Sequence, residues 1–230
     1  MSNLFRKAAA GFAFAILFTV LAGNASAQSV NVVMEKLNRH YKTLESLKAG
    51  VKMDKYNSQL DEHDVYVGSM ILLPKTAKRS QVYARIDWTK PRVESLAIIG
   101  NDYMLYTPGI KQVIKGSTST AKKGVPTGAL DFMSMSRAQL KENYEIDIAG
   151  EETVEGGTNT SHLLLTPLKG GNYKLAEIWV DVDGMIRMAR VTEKNNDTNT
   201  VFLNSAVKNK KIDSSAFRIK TAPGTKTVTG

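Results

Sequence analysis

From residue 51 onward the apolar side chains recur at every second position, segment after segment, and no long helical stretch separates one segment from the next. Successive strand side chains point to opposite faces, so this pattern reads as a series of strands. Parallel neighbours need a crossover of a dozen or more residues, usually a helix. Without such crossovers the sheet is expected to be antiparallel and meandering. The segments read as 51–56 and 65–73, a hairpin around the polar stretch 58–64, then 82–88, 93–99 and 103–106 after a Gly100-Asn101-Asp102 turn. A short strand ends at Val113, and further strands follow at 144–148, 161–166, 174–182, 185–192 and 200–207, about ten in all. Asp183-Gly184 between two of them is a two-residue hairpin signal.

Ahead of this array the period is different. Val30, Val33, Leu37, Tyr41, Leu44 and Leu47 recur at steps of three and four, with charged residues between them. That is an amphipathic helix, expected to stop at Gly50. Stretch 116–128 is rich in Ser, Thr, Lys, Gly and Pro and reads as a loop, because the strand pattern resumes in the same style beyond it. Leu130, Met133 and Leu140, with Phe132 and Met135 nearby, suit a short mid-chain helix. The fold class is therefore mainly β (α+β), with one domain spanning 28–230.

Residues 1–27 have the layout of a secretory signal peptide. Arg6 and Lys7 precede an apolar run from Ala8 to Ala22, and Asn24-Ala25-Ser26-Ala27 gives a small-x-small cleavage pattern before Gln28. The apolar run is short for a membrane span. With no Cys, the chain carries neither disulfides nor a lipid on a Cys. A soluble protein exported to the periplasm is expected. The net charge of +9 falls to +7 without Arg6 and Lys7. The basic residues are scattered, the one dense block being Lys208–Lys211, and no aromatic-interleaved motif accompanies them, so no nucleic-acid partner is expected.

Motifs for chemistry are missing. The three histidines, His40, His63 and His162, lie far apart, and Asp181-Val182-Asp183-Gly184 lacks the later ligands of a calcium loop. No metal and no cofactor are expected. There is no nucleophile elbow, no Ser–His–Asp grouping and no phosphate-binding glycine loop. Glu151-Glu152 reads as a solvated loop. These absences point away from an enzyme, and no catalytic residue is assigned. Nine methionines are more distinctive. Met70, Met104, Met133, Met135, Met185 and Met188 all sit in or beside the sheet and the mid-chain helix. Met suits apolar surfaces that adapt to ligands of variable shape, and it also fills ordinary cores.

Several ordered motifs resemble the periplasmic outer-membrane lipoprotein carrier family (LolA-like) over roughly 30–228. They are Gly68-Ser69-Met70-Ile71-Leu72-Leu73-Pro74-Lys75, then Ala84-Arg85-Ile86-Asp87-Trp88-Thr89-Lys90-Pro91, then Ile98-Ile99-Gly100-Asn101-Asp102-Tyr103-Met104-Leu105-Tyr106 and Lys111-Gln112-Val113. Leu163-Leu164-Leu165-Thr166-Pro167 precedes Ile178-Trp179-Val180-Asp181, and the end of the chain carries Lys211–Ile219 and Pro223-Gly224-Thr225. The resemblance implies a half-open, incomplete antiparallel barrel covered by short helices and enclosing an apolar cavity for acyl chains. On that reading the inward set is Met70, Leu72, Ile86, Trp88, Ile98, Met104, Met133, Met135, Ile178, Val180, Met188 and Phe202, while Arg85 and Asp87 face water.

It also implies a carrier, expected as a monomer, that takes lipoprotein or lipid acyl chains from an inner-membrane donor complex to an outer-membrane acceptor. The alternative is an envelope sensor that binds lipidated proteins without transporting them. One departure stands out. The family usually places Arg directly before the Pro that ends the second strand, where it helps control opening of the cavity, and this chain has Leu73 there. Lys75 and Arg85 are the available substitutes for that gating role.

Overall fold

A computed structural model describes residues 21–117, 128–133, 135–169 and 173–229. The expected signal peptide lies mostly outside them, as does most of the expected 116–128 loop. Helix α1 (Leu21–Thr43) opens the described chain and runs across the expected cleavage point. It ends before Leu44, earlier than expected, and Gly50 is not its stop. The chain re-enters order as β1 (Leu47–Asn57), with Leu47, Ala49, Val51 and Met53 all buried on one face. The helical spacing of Leu44 and Leu47 continues the pattern only because a strand residue happens to follow at the next step.

The sheet continues through β2 (Glu62–Leu73), β3 (Tyr83–Lys90), β4 (Glu94–Ile99), β5 (Asp102–Thr107) and β6 (Gln112–Ser117). Two short helices follow, α2 (Gly128–Phe132) and α3 (Arg137–Asn143), in place of the single one expected. Ser136 caps α3 in a capping box with Gln139, which fixes where that helix starts. The remaining strands are β7 (Tyr144–Val154), β8 (Thr158–Pro167), β9 (Tyr173–Asp181), β10 (Ile186–Glu193), β11 (Thr198–Lys208) and β12 (Lys226–Thr229). All twelve belong to one sheet, in the order β12-β6-β5-β4-β3-β2-β1-β11-β10-β9-β8-β7.

The two ends of that order do not pair, so the sheet is an incomplete barrel. Every pairing is antiparallel except β12 on β6, where the chain's last strand returns along the edge. Alternation gives no sign of β12, a four-residue strand with every side chain exposed and so without a burial pattern.

The concave face carries the core. Val33, Met34 and Leu37 of α1, Ala129 and Phe132 of α2, Met133 just beyond it and Leu140 of α3 pack against the sheet. Their partners there include Val51, Met70, Ile86, Leu163, Ile178 and Val201. The β9–β10 turn sits directly under α1. A Cβ on Gly184 would lie 2.2 Å from the Lys36 carbonyl oxygen, and its φ is +83°. Only glycine meets both demands. The turn is wider than the two-residue hairpin expected: Asp181 N donates to Met185 O across three residues. Asp181 is buried, its carboxylate accepting from Asp183 N, Met185 N and Arg187 Nε.

The convex side of β3–β6 is covered by the C-terminal segment. Phe217, in a 3-10 turn at Ser214–Phe217, is buried against Tyr83 with ring centroids 5.6 Å apart. Ala222 N donates to the Tyr106 hydroxyl, and Arg85 Nη1 donates to Ala216 O.

Candidate ligand-binding face

The strand registers assign the faces. Met70 lies opposite Ile86, and Ile86 opposite Leu96; Leu72 lies opposite Ala84, and Ala84 opposite Ile98. Directly opposed residues share a face, so Met70, Leu72, Ile86, Trp88 and Ile98 all look into the concave side. Gly68 opposes Trp88, and a Cβ there would lie 2.3 Å from the Asp87 carbonyl oxygen. The glycine thus lets the two strands close up beside the indole. Trp88 is buried and meets Tyr66 edge-on at 5.7 Å. Ile178 and Val180 belong to the same buried cluster, as does Met133, and Met135 packs against it half-buried.

Three of the expected inward residues do not. Met104 opposes Ala97, which opposes Arg85, so it lies on the convex face. Met188 and Phe202 oppose one another and form a separate convex cluster with Val154 and Trp179. A β-bulge between Ile186 and Met188 shifts the parity of β10. In Val201-Phe202-Leu203 and Tyr103-Met104-Leu105-Tyr106, apolar residues serve both faces, so alternation gives no face assignment.

The concave face is filled by the helices that cover it. Tyr41 OH donates to Met133 O at 2.7 Å, Arg137 pairs with Glu35, and Lys141 Nζ donates to Asn31 Oδ1 at 3.3 Å. These contacts tie the helices to one another, whereas the seal between helices and sheet is apolar. Burial pushes the Tyr41 hydroxyl pKa well up, so it stays a donor.

A family model for outer membrane lipoprotein carrier protein LolA matches residues 82–220, more than half of the chain. This chain belongs to the LolA family. Its motifs before residue 82, α1 and the Gly68–Lys75 segment among them, lie outside the matched span. No curated protein matches. Among solved structures, an uncharacterized conserved protein from Thermus thermophilus is 10% identical with a TM-score of 0.56, over 88% of this chain and all of that one. MucB in the Pseudomonas aeruginosa MucA/MucB complex is 10% identical with a TM-score of 0.50, over 84% of this chain and 61% of that one. MucB solved alone is 11% identical with a TM-score of 0.52, over 84% of this chain and 63% of that one. The chain thus spans about three fifths of MucB, and the likeness is one of fold.

In this LolA-family chain the residues expected to substitute for the missing Arg are placed as follows. Leu73 is buried at the end of β2, and Lys75 is exposed beyond Pro74. Arg85 lies on the convex face, half-buried rather than open to water. Its Nε and Nη2 are held by Asp87 at 2.9–3.0 Å, and Nη1 donates to Ala216 O and Arg218 O, fastening the C-terminal segment to the convex face.

A second constellation has no signature in the sequence. Strand β7 extends beyond its expected end, which puts Glu152 in the sheet and not in a loop. Its carboxylate accepts from Trp179 Nε1 at 2.8 Å and lies 3.0 Å from His162 Nδ1, and these bonds hold its pKa down. His162 stacks on Trp179 at 4.1 Å, its Nε2 is 3.1 Å from Glu177, and Arg190 lies over the indole at 5.3 Å. The five residues come from four strands, and their sequence separations carry no motif. Among the described residues no group of His, Asp and Glu is placed to hold a metal.

Proposed function

We propose that this chain is a periplasmic, non-enzymatic carrier that binds the acyl chains of lipoproteins or related lipids against the concave face and moves them from the inner towards the outer membrane. The observation that carries the reading is a LolA-family sheet whose apolar inner face is closed by three helices tied to one another but sealed to the sheet by apolar contacts. Acyl chains entering beneath the helices replace one apolar contact with another, which is a small change in free energy. Exposing those chains to water costs about 0.8 kcal/mol per CH₂. Met70, Leu72, Ile86, Trp88, Ile98, Met133, Met135, Ile178 and Val180 are the wall, and Met supplies shape tolerance. Export through a cleaved segment 1–27, a monomeric state and an inner-membrane donor and outer-membrane acceptor complete the reading.

Lipid extraction and native mass spectrometry of protein purified from its own host test it. Bound acyl lipid is expected, together with binding of a fluorescent fatty acid, and Trp88→Glu is expected to abolish both. Wild-type protein that carries no lipid and binds no fatty acid ends the carrier reading. The MucA/MucB complex favours a second reading, since there a chain of this fold has a protein partner. An envelope sensor would show a stable complex with a membrane signalling protein in a pull-down, and no transfer of lipid between membranes.

A further inference from the structure

A cleft of about 320 Å³ lies where the chain passes from α1 into β1, beside the end of β2 and the exit of β11. Arg79, Lys210 and Lys211 line it, with Glu45 as the one carboxylate. Its walls are held by directed bonds. Asn209, with φ +59°, accepts from Glu45 N at 2.8 Å through Oδ1, donates to Thr43 O at 2.9 Å through Nδ2, and donates to Ser46 O at 2.8 Å through its backbone N–H. Ser46 Oγ donates to Lys210 O at 2.5 Å. Arg79 is anchored by Nη1 alone, which donates to Pro74 O at 2.8 Å and Glu45 O at 3.3 Å.

That anchoring leaves Nε and Nη2 of Arg79 without a partner among the described residues, on a guanidinium already fixed in place. Lys210 and Lys211 are exposed and in no ion pair among the described residues, whereas Lys208, in the same basic block, is already engaged by Asp183 at 3.3 Å. Three cations against one carboxylate favour an anion. A planar guanidinium edge offers two parallel donors, which match two oxygens of a tetrahedral oxyanion, and the lysines act as point charges beside it. We propose that this cleft binds a phosphate group, Arg79 meeting two of its oxygens through Nε and Nη2 and Lys210 and Lys211 supplying the remaining charge. The proposal does not depend on what the concave face carries.

The test titrates purified protein with glycerol phosphate by calorimetry, and floats it with vesicles of phosphatidylglycerol or of phosphatidylcholine. Salt-sensitive binding is expected to glycerol phosphate, to phosphatidylglycerol vesicles, or to both. The first alone identifies a soluble phosphate compound and the second alone a lipid headgroup. Arg79→Gln is expected to weaken binding by about tenfold or more, as is the Lys210→Gln/Lys211→Gln pair. Because Arg79 also holds the 74–79 turn, the lysine pair decides the matter if Arg79→Gln fails to fold. A charge-matched Lys220→Gln/Lys226→Gln control is expected to change binding by no more than about twofold. Absence of binding to both probes overturns the proposal, as does an equal loss in the control or no loss in the lysine pair.

Discussion

The two faces of the same sheet are built on different principles. On the concave side Leu163, Leu165, Ala176, Ile178, Ala189 and Val201 are fully buried against helices and present only carbon to them. On the convex side, behind the same strands, Glu152, His162, Trp179, Glu177 and Arg190 form a ladder in which each contact has a direction. Dispersion and apolar burial have no preferred orientation. A cover held that way is replaceable by any apolar object of similar shape. Hydrogen bonds and ring stacking are lost when geometry changes, so the convex ladder fixes the curvature of β7–β10, as the proposed exchange of acyl chains on the concave face requires. The face proposed to exchange cargo is thus the featureless one.

The largest expected difference between the faces comes from removing volume. Leu163→Ala deletes a fully buried side chain at the centre of the concave cluster and is expected to cost about 2–5 kcal/mol, read as a lower midpoint in chemical denaturation. Phe202→Ala removes a larger side chain from the convex cluster, yet that cluster has only three buried members and a solvent-facing rim. It is expected to cost less than Leu163→Ala. The reverse order would place the stabilising core on the convex side and break the comparison.

The next effect is smaller and tests directionality. Trp179→Phe keeps most of the ring stack on His162 but removes the Nε1–H that Glu152 accepts. Glu152 is half exposed, which limits the loss to about 1 kcal/mol. His162→Gln is expected to cost a similar amount, and the double variant less than the sum, because both bonds end on the same carboxylate. Strict additivity, measured by the same denaturation, would make the ladder a set of unrelated surface contacts.

What is legible in the sequence follows the same division. Strands that alternate apolar with polar residues, such as Ala84-Arg85-Ile86-Asp87-Trp88, show their parity directly, and Ile86 and Trp88 lie on the concave face. Where apolar residues occupy both faces the code is lost, which is why alternation misplaces Met104 and Phe202. The cover itself is remote: nothing near Arg85 announces that Ala216 and Arg218, over 130 positions away, will accept its hydrogen bonds. The convex ladder is invisible for the same reason, since Glu152, His162, Trp179 and Arg190 meet only once four strands are in register. The β10 bulge is a further local event that alternation does not encode.

The smallest expected effect lies where α1 meets the β9–β10 turn. His40 is buried there, and desolvation, followed by the Lys208 charge, lowers its pKa below the usual 6.5, with Arg187 acting the same way and Asp181 and Asp183 opposing. The folded protein therefore holds His40 neutral at a pH where the unfolded chain already binds a proton. Below about pH 6.5 the unfolded state carries the extra proton, so stability falls as pH falls towards the lower folded value. His40→Leu removes that proton uptake. Its denaturation midpoint is expected to fall less than that of the wild type between pH 7 and pH 5, with the two converging above pH 7 apart from a constant packing difference. If both midpoints fall in parallel, His40 is not a source of the acid sensitivity.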